Sequence, residues 1–508
     1  MQLPEEILRQ IFCHIDSHDV DQKFRLSQVC SQWRTVAIGQ RLLWNRLRIM
    51  TPLDGQRLPL ILERSGSAAL DVELLWVYRH KEPMLTPEER KLAATQLAGC
   101  LKWLRRLFID IGRAEPKVSS ALMAKGLSFP NLEDLEVQSS LSRTQKFDLS
   151  LSAPQLQRLV LYEMGKVDWQ SLLAKSLTHL SLIQCWNAEL TLLDTILQQC
   201  PELRALTLRQ FPFASEFPGL KIPAVQLVPH LRFLDLRADA VDLSTTLRTG
   251  FRGLPLDELT TEMYNGFVDD ETKQLISDVL DVQAMESLYS LQSIDDQEIV
   301  IRDRTDRAAR MKVWNEDGHW SWPDIWEELA AQHGGRHSMK KFRIRSHDWN
   351  VLAGAFNACP PLADSIEIHI DLNSDDIIDQ YDFEYDDTPV SELEKAEKGL
   401  RYMRCSTLRK IVFADHEHWS GNSSCSRVEV VIQLLKAVQT ASATVEVCLT
   451  DAGLRWDTDS DDELCDTIGN VLMRDERYIL CHHCRTVLED AGLTGMTSFF
   501  KLSQTFWI

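Results

Sequence analysis

The stretch Pro154-Gln-Leu156-Gln-Arg-Leu159-Val-Leu161 has leucines at the positions that would be buried if a short strand formed here. The pattern Leu-x-x-Leu-x-Leu, or a variant ending in Ile or Val, occurs five more times between residues 100 and 240. Its six first leucines follow one another at steps of 28, 24, 21, 26 and 28 residues, and they are Leu104, Leu132, Leu156, Leu177, Leu203 and Leu231. A unit of this size cannot bury its own apolar faces, so the spacing predicts a stack of similar units that share one core.

A period in the twenties with one strand per unit is the signature of leucine-rich repeats. We therefore predict an α/β fold in which the chain forms a curved leucine-rich-repeat solenoid, with parallel strands on the concave face and helices outside. The helical stretch from Glu189 to Leu197 fits this alternation of strand and helix. The asparagine position of regular repeats is absent, which indicates irregular units.

The repeat pattern weakens after residue 250. Leu256-Asp-Glu-Leu259 is a candidate seventh unit, and strand-like segments follow at residues 342–344, 366–370, 408–413 and 445–449. Their spacing of roughly 25–40 residues allows repeats with longer helices or inserted loops. We interpret the second half as an irregular continuation of the solenoid, and a separate α/β domain is the alternative.

The chain begins with a second distinctive stretch, Leu3-Pro-Glu-Glu-Ile-Leu-Arg-Gln-Ile-Phe12. Pro4 suits the first turn of a helix, and the two glutamates after it complement the positive end of the helix dipole. Apolar residues at helical spacing predict a first helix here, a second one from Val20 to Ala37, and a short third one from Leu42 to Leu47. So small a unit cannot bury this much apolar surface alone, and the remainder indicates a partner site.

This arrangement resembles the F-box, whose pattern opens with Leu-Pro-x-Glu-(Ile/Leu)-Leu-x-x-Ile-Phe, continues to Val-Cys-x-x-Trp and ends near Leu-Trp. The matching residues are Leu3, Pro4, Glu6, Ile7, Leu8, Ile11, Phe12, Val29, Cys30, Trp33, Leu43 and Trp44. The resemblance covers the first tenth of the chain and implies docking onto the Skp adaptor of cullin–RING ubiquitin ligases. The adaptor-binding residues that it implies are Leu3, Pro4, Ile7, Leu8, Ile11, Val29, Cys30 and Trp33. A generic helical hairpin that caps a larger domain is the alternative.

These patterns together predict five regions, because the chain is too long for one compact core. Residues 1–48 form the F-box, residues 49–99 form linker helices or a solenoid cap, and residues 100–260 form leucine-rich repeats. Residues 261–340 form an irregular helical insertion, and residues 341–508 form divergent leucine-rich repeats with a carboxy-terminal cap.

Composition restricts the classes of function. Residues 1–250 contain 30 Lys and Arg against 27 Asp and Glu, a balance of +3, whereas residues 251–508 contain 25 against 48, a balance of −23, which gives the chain its net charge of −20. An acidic half argues against a nucleic-acid surface. No stretch approaches the roughly 20 apolar residues of a membrane span, and no secretory leader is recognisable. The 12 scattered cysteines are typical of reduced thiols. We therefore expect a protein of the cytoplasm, the nucleus or both, which binds neither nucleic acid nor membrane.

Several short segments resemble metal sites without completing one. Cys481-His-His-Cys484 offers four soft ligands, but a structural zinc site normally needs a second pair at compatible spacing, which the sequence lacks. His416 and His418 have no third committed ligand. The acidic runs Asp371–Asp376 and Asp457–Asp461 imitate calcium loops but lack glycine at the sharp turn. We expect no metal and no cofactor, and we interpret the acidic runs as exposed insertions.

Tryptophans are concentrated in one region, at Trp314, Trp320, Trp322, Trp326 and Trp349. Aromatic side chains that face solvent are favoured in binding hot spots, so the first four of these residues are candidates for binding a substrate protein. A packed satellite core is the alternative. The sequence has no nucleophile elbow, phosphate-binding glycine loop or kinase motif set, and we expect no enzyme activity.

The patterns together predict a substrate-recognition subunit of a Skp–cullin–F-box (SCF) ubiquitin ligase. The F-box would dock the Skp-type adaptor, and the solenoid would hold an unidentified target protein close to the ubiquitin-charged enzyme. Two alternatives stay open: an interaction scaffold without a role in ubiquitin transfer, and an enzyme domain within the less regular second half.

Overall fold

The computed structural model of the chain describes residues 3–15, 19–75, 85–110, 122, 127–139, 149–164, 167–185, 191–209, 222–264, 270–283, 285, 288–295, 298–314, 325–326, 328–330, 338–345, 348–372, 403–415, 431, 434–435, 438–439, 445–451 and 478–480. The chain divides into two compact units. Unit 1 comprises Met1–Ala238 and Thr245–Leu256, and unit 2 comprises Asp239–Ser244 and Asp257–Ile508.

Unit 1 begins with three short helices and then alternates between strands and helical segments. Its helices are α1 (Glu5–Cys13), α2 (Val20–Leu26), α3 (Ser31–Gly39), α4 (Pro52–Ser65), α5 (Pro87–Ala98), α6 (Trp169–Leu172), α7 (Thr191–Gln199) and α8 (Ala224–Leu227). Its strands are β1 (Arg46–Ile49), β2 (Leu70–Leu75), β3 (Leu104–Asp110), β4 (Leu127–Ser128), β5 (Asp134–Gln138), β6 (Leu151–Ser152), β7 (Arg158–Tyr162), β8 (His179–Ile183), β9 (Ala205–Arg209) and β10 (Phe233–Ala238). Helix α9 (Ala240–Thr246) follows, with its residues divided between the two units.

A ladder of parallel strands forms the frame of unit 1. Strands β1, β2, β3, β5, β7, β8, β9 and β10 each pair in parallel with the next one in this order. Strands β4 and β6 form a separate parallel pair. Because the main strands follow one another in chain order, the ladder is consistent with a stack of strand-containing units.

One column of buried apolar side chains runs across this ladder in register. Its members are at most 1% exposed, and they are Leu47, Val72, Leu107, Leu135, Leu159, Leu180, Leu206 and Leu234. The six first leucines of the repeated pattern are also fully buried. The mixed α/β class and the large parallel sheet that the leucine spacing predicted are therefore confirmed, whereas the repeat type stays a prediction.

The sheet begins earlier in the chain than the sequence predicted. The segment of residues 49–99 was expected to hold linker helices or a cap, and it does contain α4 and α5. It also contains β2, which joins β1 to β3. The cause is the alternation of apolar residues at Leu70, Val72 and Leu74, which are all buried. Alternation with a period of two favours a strand over a helix.

Helices α4 and α5 begin with the same capping motif. Thr51 and Asp54 form a reciprocal capping box at the start of α4, and Thr86 and Glu89 form one at the start of α5. Each box satisfies amide groups that the first turn of a helix leaves without partners. Within the part of the chain that the structure describes, no helix is both long enough and apolar enough to cross a bilayer.

Unit 2 is also built mostly on parallel strands. Its described helices are α10 (Asp270–Val282) and α11 (Trp349–Ala358). Its strands are β11 (Glu258–Tyr264), β12 (Leu288–Asp295), β13 (Glu298–Asp303), β14 (Ala308–Trp314), β15 (Lys341–Arg345), β16 (Ile366–Leu372), β17 (Met403–Arg404), β18 (Leu408–Asp415), β19 (Val438–Gln439), β20 (Val445–Asp451) and β21 (Tyr478–Leu480). From β12 the chain continues through β15, β16, β18, β20 and β21, each parallel to the one before. The four strand-like segments predicted after residue 340 lie within β15, β16, β18 and β20.

Residues 261–340 differ from the helical insertion that the sequence predicted. After helix α10 the chain forms β12, β13 and β14, in which β13 pairs antiparallel with both neighbours, and β14 pairs parallel with β11. The turn between β13 and β14 is held by Asp303, whose carboxylate accepts hydrogen bonds from the backbone N–H groups of Thr305 and Arg307. The helical expectation failed because Ile299, Val300 and Ile301 are all buried, and a strand buried on both faces shows no alternation.

The described cysteines have different environments. Cys185 and Cys200 are buried in unit 1, and burial raises the pKa of the Cys185 thiol to about 11 and that of the Cys200 thiol to about 12. Cys30 is exposed between α2 and α3. Because the thiolate is the reactive form, the buried thiols should be inert in the folded protein.

We expect a thiol reagent at pH 8 to modify Cys30 quickly in the folded protein, while Cys185 and Cys200 react only after unfolding. Peptide mass mapping after a short pulse of iodoacetamide measures the modified sites. A Cys30→Ser variant is the control for the fast site. Rapid modification of Cys200 in the folded protein would show that its surroundings are not closed to water.

Candidate functional site

Helix α1 has a buried face and an exposed apolar row beside it. Leu8 and Phe12 are buried, while Leu3, Ile7 and Ile11 are exposed. Residues four apart lie above one another on a helix, so the three exposed residues form a row that starts just before α1. Leu8, which the F-box resemblance places among the adaptor-binding residues, is instead packed inside the domain.

The beginning of α1 is held by contacts with its neighbours. Pro4 is exposed at the N-cap, and the carboxylate of Glu5 accepts a hydrogen bond from Arg9 one turn later, at 2.6 Å. The side-chain amide of Gln32 in α3 donates to the backbone oxygen of Leu3 at 2.7 Å. The first residue of the exposed row is therefore tied to another helix of the domain.

The sequence predicted one helix from Val20 to Ala37, and the structure has two. Helix α2 ends at Leu26, where the Ser27 hydroxyl donates to the backbone oxygen of Phe24 at 2.7 Å, and the guanidinium of Arg34 donates to the backbone oxygen of Ser27 at 2.9 Å. Short polar side chains that bond nearby backbone groups favour helix ends over helix interiors. The break leaves Val29 and Cys30 exposed between α2 and α3.

Trp33 connects the exposed apolar residues to the core of the small domain. Its ring is half-buried and meets the ring of Phe12 edge-on, with 5.4 Å between the centroids. Aromatic pairs in this arrangement are worth about 0.5–1.5 kcal/mol beyond the burial of their area. Trp33 therefore contributes to packing and also shows part of its surface to solvent.

The sequence did not predict the exposure of two apolar residues, Ile38 and Leu42. Leu42 was assigned to the apolar stripe of a third helix, but residues Arg41–Leu43 form a single 3₁₀ turn. This turn leaves Leu42 exposed, whereas Leu43 and Trp44 are buried. Together, six residues form what we call the exposed apolar set, with 39–72% of each side chain accessible: Leu3, Ile7, Ile11, Val29, Ile38 and Leu42. The apolar spacing of the sequence gives no signal that separates Leu42 from the core leucines.

A buried lysine joins the helices to the sheet. Lys23 of α2 is 1% exposed, and its ammonium group donates to the backbone oxygen of Arg46 in β1 at 2.7 Å. A lysine is almost never fully buried unless its charge has partners. This bond therefore places α2 against β1 at a fixed position.

Aromatic rings and arginines form a second connection. Phe24 of α2 meets Trp44 edge-on at 5.4 Å, and the guanidinium of Arg64 in α4 lies over both rings, at 4.9 and 4.4 Å. Arg57 of α4 lies over Phe24 at 4.8 Å and also pairs with Asp21. Cation–π contacts are worth about 0.5–2 kcal/mol each, depending on how far they are desolvated. The helices α1–α3 and the first strand–helix segment thus form one packed body.

The tryptophan region is packed wherever the structure describes its side chains. Trp326 and Trp349 are fully buried, and the Trp326 indole N–H donates to the backbone oxygen of Cys359. The Trp326 ring lies 5.5 Å from Phe342 and 5.4 Å from Phe356. The packed satellite core that the sequence left open accounts for Trp326. Trp320, Trp322 and the side chain of Trp314 lie outside the described residues.

The candidate metal segments can be placed only in part. Asp371 is described, and its carboxylate accepts both hydrogen bonds of the Arg343 guanidinium, at 2.8 and 3.1 Å. The segments at residues 373–376, 416–418, 457–461 and 481–484 lie outside the described residues. Among the residues that are described, no three His, Cys, Asp or Glu side chains are grouped to hold an ion.

A comparison with known protein families gives a match at the first helices of the chain. Residues 1–50 match the model of the F-box-like family, a range that contains α1–α3 and β1. No curated protein matches the chain. An F-box-like domain therefore occupies the start of unit 1, and it supports an adaptor or substrate-receptor role in ubiquitin ligase complexes.

We expect replacement of Lys23 by Met to destabilise the protein by about 1–3 kcal/mol, because the part-buried hydrogen bond from Lys23 to the Arg46 carbonyl would be lost. Urea unfolding of the full chain measures this change, and Lys91→Met on the exposed surface of α5 is the matched control. Equal stabilities of the two variants would contradict the proposed role of Lys23 as a link between α2 and β1.

We expect Trp326→Ala to destabilise the protein by about 3–5 kcal/mol, since it removes a large side chain from a closed aromatic cluster. Phe233→Ala, which truncates a half-exposed aromatic, should have a much smaller effect. Thermal unfolding of both variants tests this. A Trp326→Ala variant with unchanged stability would favour a recognition role for this residue.

Proposed function

We propose that this protein is the substrate-recognition subunit of an SCF-type ubiquitin ligase. The observation that carries the proposal is the exposed apolar set on a small domain that is otherwise well packed and that matches the F-box-like family. Five of these residues are Leu or Ile on or beside α1 and α3, and the sixth, Val29, stands in the break between α2 and α3. Contacts with a Skp-type adaptor would remove these side chains from water.

The energetic case rests on how much apolar area remains to be buried. Complete burial of one Val, Leu or Ile side chain is worth about 1.5–3 kcal/mol. Six such side chains, each with 39–72% still accessible, hold several kcal/mol of unused burial before the ordering costs of association. Exposed apolar groups of this kind on a small domain are typical of a protein–protein interface.

The remainder of unit 1 and unit 2 would hold the target protein. In this proposal the chain contributes no reacting group, and we assign no enzyme activity to it. Its effect is to raise the local concentration of target lysines near the ubiquitin-charged enzyme, which accelerates transfer without new chemistry. The partners are then a Skp-type adaptor, through it a cullin–RING ligase, and a target protein that the sequence does not identify.

We expect a double variant, Ile7→Asp with Val29→Asp, to lose capture of a purified Skp-type adaptor by at least 100-fold, because both charges would be buried at the interface. Both residues are exposed, so the variant should still fold. Titration calorimetry with the full chain measures the affinity, and Leu92→Asp, at another exposed leucine, is the matched control. Adaptor binding by the double variant at wild-type strength would refute the docking proposal.

The scaffold alternative makes a different prediction. If the chain is an interaction scaffold, the adaptor would bind while the cullin–RING assembly and ubiquitin transfer would not follow. Reconstitution of the chain with adaptor, cullin, RING protein and conjugating enzymes distinguishes the two, with ubiquitylation of a captured target, or of the chain itself, as the readout. Adaptor binding without ubiquitylation in this system would favour the scaffold.

A further inference from the structure

The polar face of the ladder in unit 1 carries a row of alternating charges. Neighbouring strands place Arg46, Asp71, Arg106, Asp134 and Arg158 opposite one another in register, from β1 to β7. Opposite charges at facing positions stabilise a sheet. A row of this kind should leave each arginine between acidic neighbours.

The row changes register between β2 and β3, because β2 is one residue shorter than the later repeats. Strand β2 has a single residue between Leu70 and Val72, whereas β3 has two between Leu104 and Leu107. The pairing therefore shifts at this point, so that two arginines of β3 face the one aspartate of β2. An extra residue on one strand is the definition of a β-bulge, and bulges redirect side chains.

Arg105, the first of these two arginines, forms the ion pair with Asp71. Its guanidinium donates twice to the Asp71 carboxylate, at 3.0 and 2.7 Å, and Arg46 lies 3.5 Å from the same carboxylate. On the other side, Arg158 binds both Asp134 and Glu136, at 2.8 and 3.0 Å. The acids on both sides of Arg106 are thus each bound by another arginine, and Asp134 and Glu136 share theirs.

Arg106 therefore forms no ion pair with the acidic residues that face it. Its side chain is exposed, and among the residues that the structure describes it makes no ion pair or side-chain hydrogen bond. His179, next to Arg158 in the row, adds little charge near pH 7, because burial and then Arg158 and Arg204 lower its pKa. Arg106 is therefore the unpaired cation of the row.

Arg106 lines a recess on this face, which we call the Arg106 recess. It has a volume of about 230 Å³, and its walls include Asp71, Glu73, Arg106, Phe108, Asp134 and Arg158. Sites for whole small ligands measure roughly 300–1,000 Å³, so this recess suits side chains presented by a larger partner. Phe108, two residues from Arg106 on the same strand, gives the recess an apolar wall beside the cation.

We propose that the Arg106 recess binds an extended segment of the target protein, with an Asp or Glu carboxylate on Arg106 and an apolar side chain two residues away against Phe108. Alternate side chains of an extended segment lie about 6.6 Å apart, which is also the spacing of residues 106 and 108 in β3. The planar guanidinium matches a carboxylate bidentately. This inference rests on the proposed role of the repeats in holding a target.

The surrounding acids decide between a carboxylate and a phosphate. Asp134 and Glu136 share a single arginine, so this side of the recess retains excess negative charge. A phosphorylated residue carries a charge of about −1.5 to −2 at pH 7 and would be repelled more strongly than a singly charged carboxylate. The recess therefore selects acidic residues over phosphorylated ones.

The test uses the full chain and a set of fluorescent ten-residue peptides in one Gly-Ser background. The peptides carry Glu-Ser-Leu, Lys-Ser-Leu, Ala-Ser-Leu or phosphoserine-Ser-Leu at the centre. We expect Glu-Ser-Leu to bind best, and Arg106→Ala to weaken that peptide at least tenfold. Arg252→Ala, at another exposed arginine of unit 1, is the matched control and should change nothing. Arg106→Glu should transfer the preference to Lys-Ser-Leu.

Binding should also weaken as salt rises from 50 to about 300 mM, because one exposed ion pair carries the selectivity. Three results would overturn the proposal: no preference for Glu-Ser-Leu, equal binding by Arg106→Ala, or a preference for the phosphoserine peptide. Adaptor capture is measured on the same samples. Loss of adaptor capture with intact peptide selectivity counts against the proposed ligase role alone, whereas the reverse counts against the recess alone.

Discussion

The parallel ladder of unit 1 depends on how its first edge is closed. Successive carbonyl groups of a strand point to opposite sides, and the Asn45 oxygen accepts from the Asp71 amide of β2 at 2.8 Å. The next oxygen, that of Arg46, therefore points away from β2, and the ammonium group of Lys23 binds it. An uncovered strand edge would offer its polar groups to other chains. The helices that carry the exposed apolar set thus also protect the start of the sheet.

This arrangement links the two halves of the proposed function physically. Lys23, Phe24, Trp44 and Arg64 bind α2 to β1 and α4 through buried polar and aromatic contacts. In a ligase that works by proximity, the position of the bound target relative to the adaptor decides which lysines can be reached. Within unit 1, that position would follow from side-chain packing, because the F-box-like helices and the first strands pack as one body.

Most of the fold of unit 1 could be predicted from the sequence, whereas less of its candidate site could. The spacing of Leu104, Leu132 and the later first leucines predicted the parallel sheet, since each marks a buried strand entry. The hairpin strands of unit 2 were missed because Ile299 to Ile301 are buried on both faces and show no period. Leu42 is exposed because residues Arg41–Leu43 form a 3₁₀ turn, which depends on local hydrogen bonds that periodicity does not register, and Leu8 lies on the buried face of α1 instead of the exposed one. Arg106 was missed because its lack of a partner is visible only when β2 and β3 are aligned in register.

The bulge at Arg105 has a consequence for the charge that this surface shows to solvent. The core of the ladder depends on which residues are leucine, whereas the charge shown to solvent at β3 depends on how many residues separate two leucines. The two arginines between Leu104 and Leu107 face the single Asp71, whereas the buried column depends on Val72 and Leu107. In this chain the uneven lengths of β2 and β3 decide which arginine pairs with Asp71 and which one faces solvent, while Val72 and Leu107 stay paired in the buried column.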